Sequence, residues 1–220
     1  DTMERIFVFA LVWSLGGSIT EDSRPTFDQA IRETENFFPA SQTVYEYGFN
    51  FDKVEFALWE ERLPNPFRPQ DGMPFHKIIV PTVDTTRNMF ILNSLNSKNF
   101  HTLLVGCTGT GKTIAVQQAI AGLDEQAWTS LTINMSAMTS AEKTQEIIES
   151  KIEKRIKNKF GPPANKRMLM FVDDLNMPRK DEYGSQPPLE LLRQWVDYEC
   201  WYDRAKQSLR YVLDLHLNMA

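Results

Sequence analysis

The segment LLVGCTGTGKT, residues 103–113, decides the fold. It contains GCTGTGKT, which matches the pattern GxxxxGK[ST]. In this pattern glycines let backbone N–H groups turn toward phosphate oxygens, the lysine reaches the β and γ phosphates, and the hydroxyl can bind magnesium. The predicted phosphate-binding loop therefore consists of Gly106, Cys107, Thr108, Gly109, Thr110, Gly111, Lys112 and Thr113.

The surroundings of this loop support that interpretation over a glycine turn with a purely structural role. The apolar run TLLV precedes the loop and predicts a strand, and TIAVQQAIAG follows it and predicts a helix that ends at Gly122. Cys107 has no base near it in the sequence, so we expect a small packed side chain rather than a nucleophile.

A second acidic motif follows about sixty residues later, in MLMFVDDLNMP. Its apolar run predicts a buried strand that ends at Asp173 and Asp174. Because an acidic residue at the end of a neighbouring strand holds the metal ion in P-loop enzymes, Asp173 is the predicted magnesium ligand together with Thr113. The alternative is that the two carboxylates only end a strand.

Short apolar strands and longer helices alternate from residue 76 onward, which favours an α/β fold with a parallel sheet between helices. The predicted strands are KIIV, TLLVG, SLTINM and MLMFV, and YVLDLHLNMA suits the next core strand. Helices are predicted over residues 85–96, over residues 112–121, and from about Ser140 through Phe160, where isoleucines recur at helical spacing.

Residues 1–75 form a separate predicted unit of helices and a small hairpin. The apolar run IFVFALVW, residues 6–13, is too short to span a membrane and predicts a buried helix. A second helix is predicted over residues 25–38 and a hairpin over residues 44–59. The proline-rich segment that follows predicts a linker, with a domain boundary near residue 75 and a second domain over residues 76–220.

The composition is that of a globular protein, with 42% hydrophobic and 24% charged residues. A formal net charge of -5 gives no general attraction for nucleic acid or an anionic membrane, so neither is an expected partner. Cys107 and Cys200 lack CxxC spacing, which favours a reducing compartment. His76, His101 and His216 are too scattered to predict a metal site.

Several long strings are more specific than either nucleotide motif. They include IFVFALVWSLGGS, IIVPTVDTTR, INMSAMTSAEKTQEIIESKIEKR and FVDDLNMP followed by YGSQPPLELLRQWVDYECWYD. Together they resemble the third AAA+ module of an axonemal dynein heavy chain, over residues 4 to about 205. The resemblance implies a P-loop NTPase fold, cut before its last strand and helical lid, with residues 1–75 as the lead-in.

The resemblance also implies a function. Such heavy chains carry six AAA+ modules in a ring, and the third is a regulatory site that binds ATP or ADP with Mg²⁺. By motif, Asp174 takes the position of the catalytic carboxylate, while Val80 and Thr82 lie in the segment that lines the adenine side. The implied partners are neighbouring modules of the same heavy chain, dynein intermediate and light chains, and microtubules. The implied location is the cytoplasm and cytoskeleton, in the axoneme of a cilium or flagellum.

Asp174 is one methylene shorter than the glutamate that usually orients water in hydrolysing AAA+ sites. A misplacement of about 1 Å can cost on the order of 100-fold in rate. We therefore expect firm ATP binding, slow hydrolysis, and negligible ATPase activity from these 220 residues alone. Two alternatives stay open: a structural AAA+ spacer with a permanently bound nucleotide, and a piece of a freestanding AAA+ remodelling ATPase.

Overall fold

The computed structural model describes residues 2–64, 67, 68, 72 and 78–220. The chain divides into two compact units, Asp1–Asn88 and Met89–Ala220. The boundary predicted near residue 75 lies outside the described residues, as does His76.

The first unit packs two helices and an antiparallel hairpin around an aromatic-rich core. The hairpin predicted over residues 44–59 is confirmed, with Tyr47 opposite Leu58 and Asn50 opposite Glu55. Short 3-10 turns connect the elements. The helices and strands are α1 (Thr2–Ser14), α2 (Arg24–Thr34), β1 (Tyr47–Asn50) and β2 (Glu55–Leu58). The core consists of Val8, Val12, Ile31, Phe38, Val44, Tyr45, Tyr47, Phe49 and Phe56.

The first helix is less buried than its sequence predicts. Only Val8 and Val12 of α1 are buried, and Phe7 is 65% exposed. Because a helix projects side chains in every direction, the core of this unit covers only one stripe of α1. The prediction of a helix is confirmed, and the prediction that the whole apolar run is buried is wrong.

The second unit contains the predicted parallel sheet, with helices on both faces. Its strands are β3 (Thr102–Leu103), β4 (Trp128–Asn134), β7 (Arg167–Asp173) and β10 (Leu215–Met219). The strand order is β3-β10-β7-β4, and each neighbouring pair is parallel. The helices are α3 (Val83–Ser97), which runs across the division between the units, α4 (Lys112–Ala121), α5 (Ala141–Glu149) and α6 (Pro187–Tyr198).

Strand β7 is buried on both faces of the sheet, and this explains its continuous apolar sequence. On one face Phe171 packs with residues of α3 and α4, including Leu92 and Val116. On the other face Met170 and Val172 pack with residues of α5 and α6. The predicted α/β fold is thus confirmed, and β10 occupies the centre of the sheet as a core strand.

A second, smaller sheet replaces the end of the long helix predicted from Ser140 through Phe160. Helix α5 ends at Glu149, and the following residues form a hairpin that turns at Lys157, whose φ is 45°. Phe160 in that hairpin pairs with Val212 of a strand some fifty residues later. The sheet has the order β5-β6-β9-β8, with β5 (Glu153–Ile156), β6 (Lys159–Gly161), β8 (Cys200–Tyr202) and β9 (Leu209–Val212).

The prediction of a strand for KIIV, residues 77–80, is also wrong for the three residues of it that the structure describes. Residues 78–80 belong to no strand. Pro81 has no N–H to donate to a ladder, and Thr82 already begins the cap of α3. Within the described ranges, no helix is long and apolar enough to cross a membrane.

The central strand β10 carries a buried histidine, His216, which is 2% exposed. Its Nε2 lies 2.7 Å from Asn96 Oδ1, and its ring centroid lies 5.5 Å from that of His101. Burial, with smaller effects from the charges of His101 and Arg167, lowers the pKa of His216 from 6.5 to about 4. The folded protein therefore favours the neutral imidazole.

The low pKa of His216 predicts a loss of stability in acid. Between pH 6.5 and 4 the unfolded chain binds a proton that the folded chain does not, so the free energy of unfolding falls as the pH falls through this window. We expect this residue to account for a loss of about 2 kcal/mol between pH 7.5 and pH 5. Urea unfolding at both pH values measures it, and His216→Gln should lose correspondingly less; an equal loss in both proteins would contradict the assignment.

Candidate nucleotide-binding site

The loop between β3 and α4 adopts the backbone geometry that its glycines predict. Gly109 and Gly111 have φ values of 83° and 79°, in the left-handed region that other residues rarely adopt. Gly111 is the N-cap of α4, so the loop leads directly into the helix N-terminus. Free N–H groups and the positive end of the helix dipole favour an anion there.

The side chain of Lys112 lies across this loop. Its Nζ donates hydrogen bonds to the carbonyl oxygens of Gly106 at 2.9 Å and Cys107 at 2.8 Å. Thr110 Oγ1 also donates to the Cys107 carbonyl, at 2.9 Å. The ammonium is thus held at the loop, where it can meet a phosphate group.

Thr113 and Asp173 join the two halves of the site. Thr113 Oγ1 donates a hydrogen bond to Asp173 Oδ1 at 3.1 Å, between the first turn of α4 and the end of β7. The backbone of Asp173 is fixed by the sheet, where its carbonyl accepts from Met135 N at 2.9 Å. A hydroxyl and a carboxylate at this separation present the oxygen ligands that Mg²⁺ prefers.

Asp174 follows in an unusual backbone conformation, with a φ of 55°. Aspartate tolerates this left-handed geometry better than most residues. Its N–H donates to Asp173 Oδ1 at 3.1 Å, and its carbonyl accepts from Met177 N at 3.0 Å. The chain therefore turns sharply directly after the sheet, and the exposed Asp174 lies at the cavity described next.

One open cavity of about 680 Å³ brings these groups together. Lys112 and Asp173 both line it, which meets the main requirement of a shared phosphate and metal site. An ammonium, a helix N-terminus, a hydroxyl and two carboxylates suit a nucleotide phosphate chain with a bound divalent cation. The lining residues are Leu103, Leu104, Val105, Gly106, Thr108, Gly109, Gly111, Lys112, Thr113, Ile114, Asp173, Asp174, Leu175, Asn176, Gln186, Leu189 and Ala220.

Two predicted loop residues do not belong to this lining. Cys107 is exposed to solvent and does not line the cavity, so the prediction of a packed side chain is wrong. Thr110 uses its hydroxyl within the loop. Both residues can still contribute backbone N–H groups, which is the main contribution of such loops to phosphate binding.

Val80 and Thr82 belong to the first unit, whereas every lining residue of the cavity belongs to the second. Thr82 Oγ1 accepts a hydrogen bond from Thr85 N at 3.2 Å, and Thr85 Oγ1 accepts from Thr82 N at 2.8 Å. Thr82 thus caps α3, and Val80 is 57% exposed. Their role at an adenine ring stays a prediction.

The structure adds residues to the site that sequence reasoning did not identify. Leu175 and Asn176 directly follow the acidic pair, so their position in the sequence could have indicated them. Gln186, Leu189 and Ala220 reach the cavity from later elements, and no local motif marks them.

Comparisons with known proteins give matches along almost the whole chain. A family model described as the P-loop containing dynein motor region matches residues 67–220, and one described as the dynein heavy chain AAA lid domain matches residues 1–61. The chain is 46% identical to dynein axonemal heavy chain 2 of Mus musculus over 218 residues. It is 45% identical over 217 residues to the dynein-1-beta heavy chain of the flagellar inner arm I1 complex of Chlamydomonas reinhardtii.

Each of these alignments covers 99% of the chain and 5% of the relative. The chain therefore spans about a twentieth of the length of the curated relatives that it matches. The matched family is defined by a P-loop, which implies nucleotide binding. With both family models and relatives of this identity along almost its full length, the chain belongs to the dynein heavy chain family.

Proposed function

We propose that the chain is the third AAA+ module of an axonemal dynein heavy chain, and that it binds ATP or ADP with Mg²⁺ as a regulatory site. The observation that supports this best is the hydrogen bond between Thr113 and Asp173, in the same cavity as Lys112. It joins the phosphate-binding loop to the predicted metal-binding carboxylate.

The residues predicted from the sequence have the following proposed roles. The backbone N–H groups of residues 106–113 and the Lys112 ammonium hold the phosphates, and Thr113 and Asp173 hold Mg²⁺, which would neutralise phosphate charge. Asp174 orients the attacking water, and its short side chain makes hydrolysis slow. Val80 and Thr82 line the adenine side.

The two predicted domains have different proposed roles. Residues 76–220 are the large nucleotide-binding subdomain, and residues 1–75 are the lead-in to it. The match of residues 1–61 to a dynein lid supports a role for the lead-in as a lid-type element within the heavy chain.

The wider function is proposed from the axonemal relatives. Nucleotide occupancy of this module would bias the conformation of neighbouring modules and thereby contribute to ATP-driven movement along microtubules. The heavy chain would act with intermediate and light chains in the axoneme of a cilium or flagellum. The names of the relatives, which specify axonemal and flagellar heavy chains, support this location.

The Thr113 hydroxyl provides the test of the proposed nucleotide site. We expect Mg²⁺ to raise the affinity of the chain for a fluorescent ATP analogue about tenfold, and Thr113→Val to abolish this difference because it removes a metal ligand. Thr110→Val is the matched control, since its hydroxyl lies in the same loop and donates to a backbone carbonyl.

The control should keep the Mg²⁺ effect, even if its overall affinity changes slightly. The proposal would be wrong if the wild-type chain bound ATP without any dependence on Mg²⁺, or if both variants lost that dependence equally.

A further inference from the structure

The side chain of Gln186 connects the cavity to helix α6. Its Nε2 donates hydrogen bonds to the carbonyl oxygens of Asn176 at 3.0 Å and Pro178 at 2.5 Å. Both acceptors belong to the segment that leaves the sheet after Asp173 and Asp174. Gln186 itself lines the cavity.

The start of α6 explains why the Gln186 side-chain amide can donate to the segment that follows Asp174. Gln186 is the N-cap residue of α6, but its side chain makes no capping hydrogen bond. The next two residues are prolines, which have no N–H for a cap to satisfy. The following N–H groups, of Leu189 and Glu190, donate to the backbone carbonyl of Gln186 at 2.9 and 3.1 Å.

The segment that Gln186 holds carries the predicted water-orienting carboxylate. Asp174 has a left-handed backbone conformation. Within the described part of the chain, only a few backbone hydrogen bonds hold the residues that follow Asp174. One joins Met177 N to the Asp174 carbonyl at 3.0 Å, and another joins Leu175 N to the Ala220 carbonyl at 2.9 Å. The two bonds from Gln186 close the other end of this turn.

The opposite end of α6 is fixed to the smaller sheet. Trp195 Nε1 donates to the Val212 carbonyl at 2.9 Å, and Val212 N donates to the Glu199 carbonyl at 2.7 Å. Trp195 is 2% exposed, and Leu192 and Val212 belong to the same buried cluster. Helix α6 is therefore held at one end by the cavity segment and at the other by β9.

We propose that Gln186 is a positioning residue that holds residues 174–178 against the start of α6, so that a change in this segment on nucleotide binding moves α6 and the smaller sheet with it. This inference rests on the proposed nucleotide site. It assigns to Gln186 the role of holding this segment in place, and no chemical role in the reaction.

Hydrogen–deuterium exchange of the 220-residue chain tests this proposal. Gln186→Met keeps the length of the side chain and removes both donors. We expect exchange in the peptide covering residues 174–179 to become about tenfold faster without nucleotide. At Mg-ATP concentrations that saturate each protein, as judged from its own Kd, the wild-type chain should gain protection from exchange in residues 209–212, and the variant should lose this gain.

Gln145→Met is a matched control. Gln145 Nε2 also donates to two acceptors, Glu149 Oε1 and the Tyr202 carbonyl, both at 2.9 Å, but it joins α5 to β8 away from the cavity. This control should leave exchange in residues 174–179 unchanged. Gln186→Glu, whose carboxylate cannot donate, provides a second variant should the methionine variant fail to fold, and it should behave in the same way.

The proposal would be overturned by unchanged exchange in residues 174–179 of either Gln186 variant. It would also be overturned by a general acceleration in every peptide, which would indicate a purely structural role. If the wild-type chain bound no ATP, the nucleotide site would be wrong, whereas the comparison without nucleotide would still decide whether Gln186 holds the segment.

Discussion

Lys112→Ala should lower the affinity of the chain for Mg-ATP about 100-fold, the equivalent of roughly 2.7 kcal/mol. The ammonium is the only lysine or arginine group among the described residues that line the cavity. A hydrogen bond from a charged donor to a phosphate is among the strongest that a protein makes. Lys112 is only half-buried and its acceptors are loop carbonyls, so the fold should survive its loss. Titration with a fluorescent ATP analogue measures the change.

Lys166→Ala is the control for this substitution. Lys166 Nζ likewise donates to a backbone carbonyl, that of Glu125 at 2.7 Å, and the residue does not line the cavity. Its replacement should leave the Kd for Mg-ATP unchanged. An Lys112→Ala chain that retained wild-type affinity, with unaltered circular dichroism, would contradict the assigned role.

Phe171→Ala should destabilise the second unit by about 3–5 kcal/mol. Phe171 lies in the middle of β7 with no exposed surface and packs against Leu92, Val116 and Ala119. Its removal loses apolar burial and leaves a cavity between the sheet and α4, which the flanking elements can fill only in part. Thermal denaturation should show a melting temperature lower by roughly 10 °C.

Tyr183→Ala serves for comparison, because Tyr183 is 87% exposed. Its loss should change the free energy of unfolding by less than about 0.5 kcal/mol. If Phe171→Ala and Tyr183→Ala had equal, small effects, the packing of α4 against β7 described above would be incorrect.

The elements around the phosphate-binding loop could be predicted because their determinants are local. Helix α4 spans Lys112–Ala121, the same residues that the sequence predicts. The loop glycines fix the turn before it, and the apolar run of β7 ends where the carboxylates begin. Each of these features depends on neighbouring residues alone, so a short stretch of sequence contains the necessary information.

The smaller sheet could not be predicted in this way. Ile152 and Ile156 have helical spacing, but residues 153–156 pair as a strand with residues 159–161. That hairpin is stabilised by β9, whose residues come some fifty positions later, where Lys159 pairs with Tyr211. Tertiary pairing thus overrides the local periodicity.

The candidate site shows the same division between local and distant determinants. Lys112, Thr113 and Asp173 could be predicted from two sequence motifs. The parallel strands bring these motifs together at the carboxyl ends of the strands. Gln186 and Ala220 lie at the same ends of the strands only because α6 begins there and β10 ends there. No pattern in the sequence marks either residue.

The central claim is that Lys112 holds the phosphates of one nucleotide while Thr113 and Asp173 bind the metal ion of that nucleotide. Its most direct test is to count, by electron paramagnetic resonance, the Mn²⁺ ions that the chain holds at saturating ATP, since Mn²⁺ accepts the oxygen ligands of Mg²⁺. We predict one bound ion per wild-type chain, Mn²⁺ binding at least about tenfold weaker in Asp173→Ala, and Mn-ATP binding about 100-fold weaker in Lys112→Ala. Equal Mn²⁺ binding by all three proteins would contradict the claim.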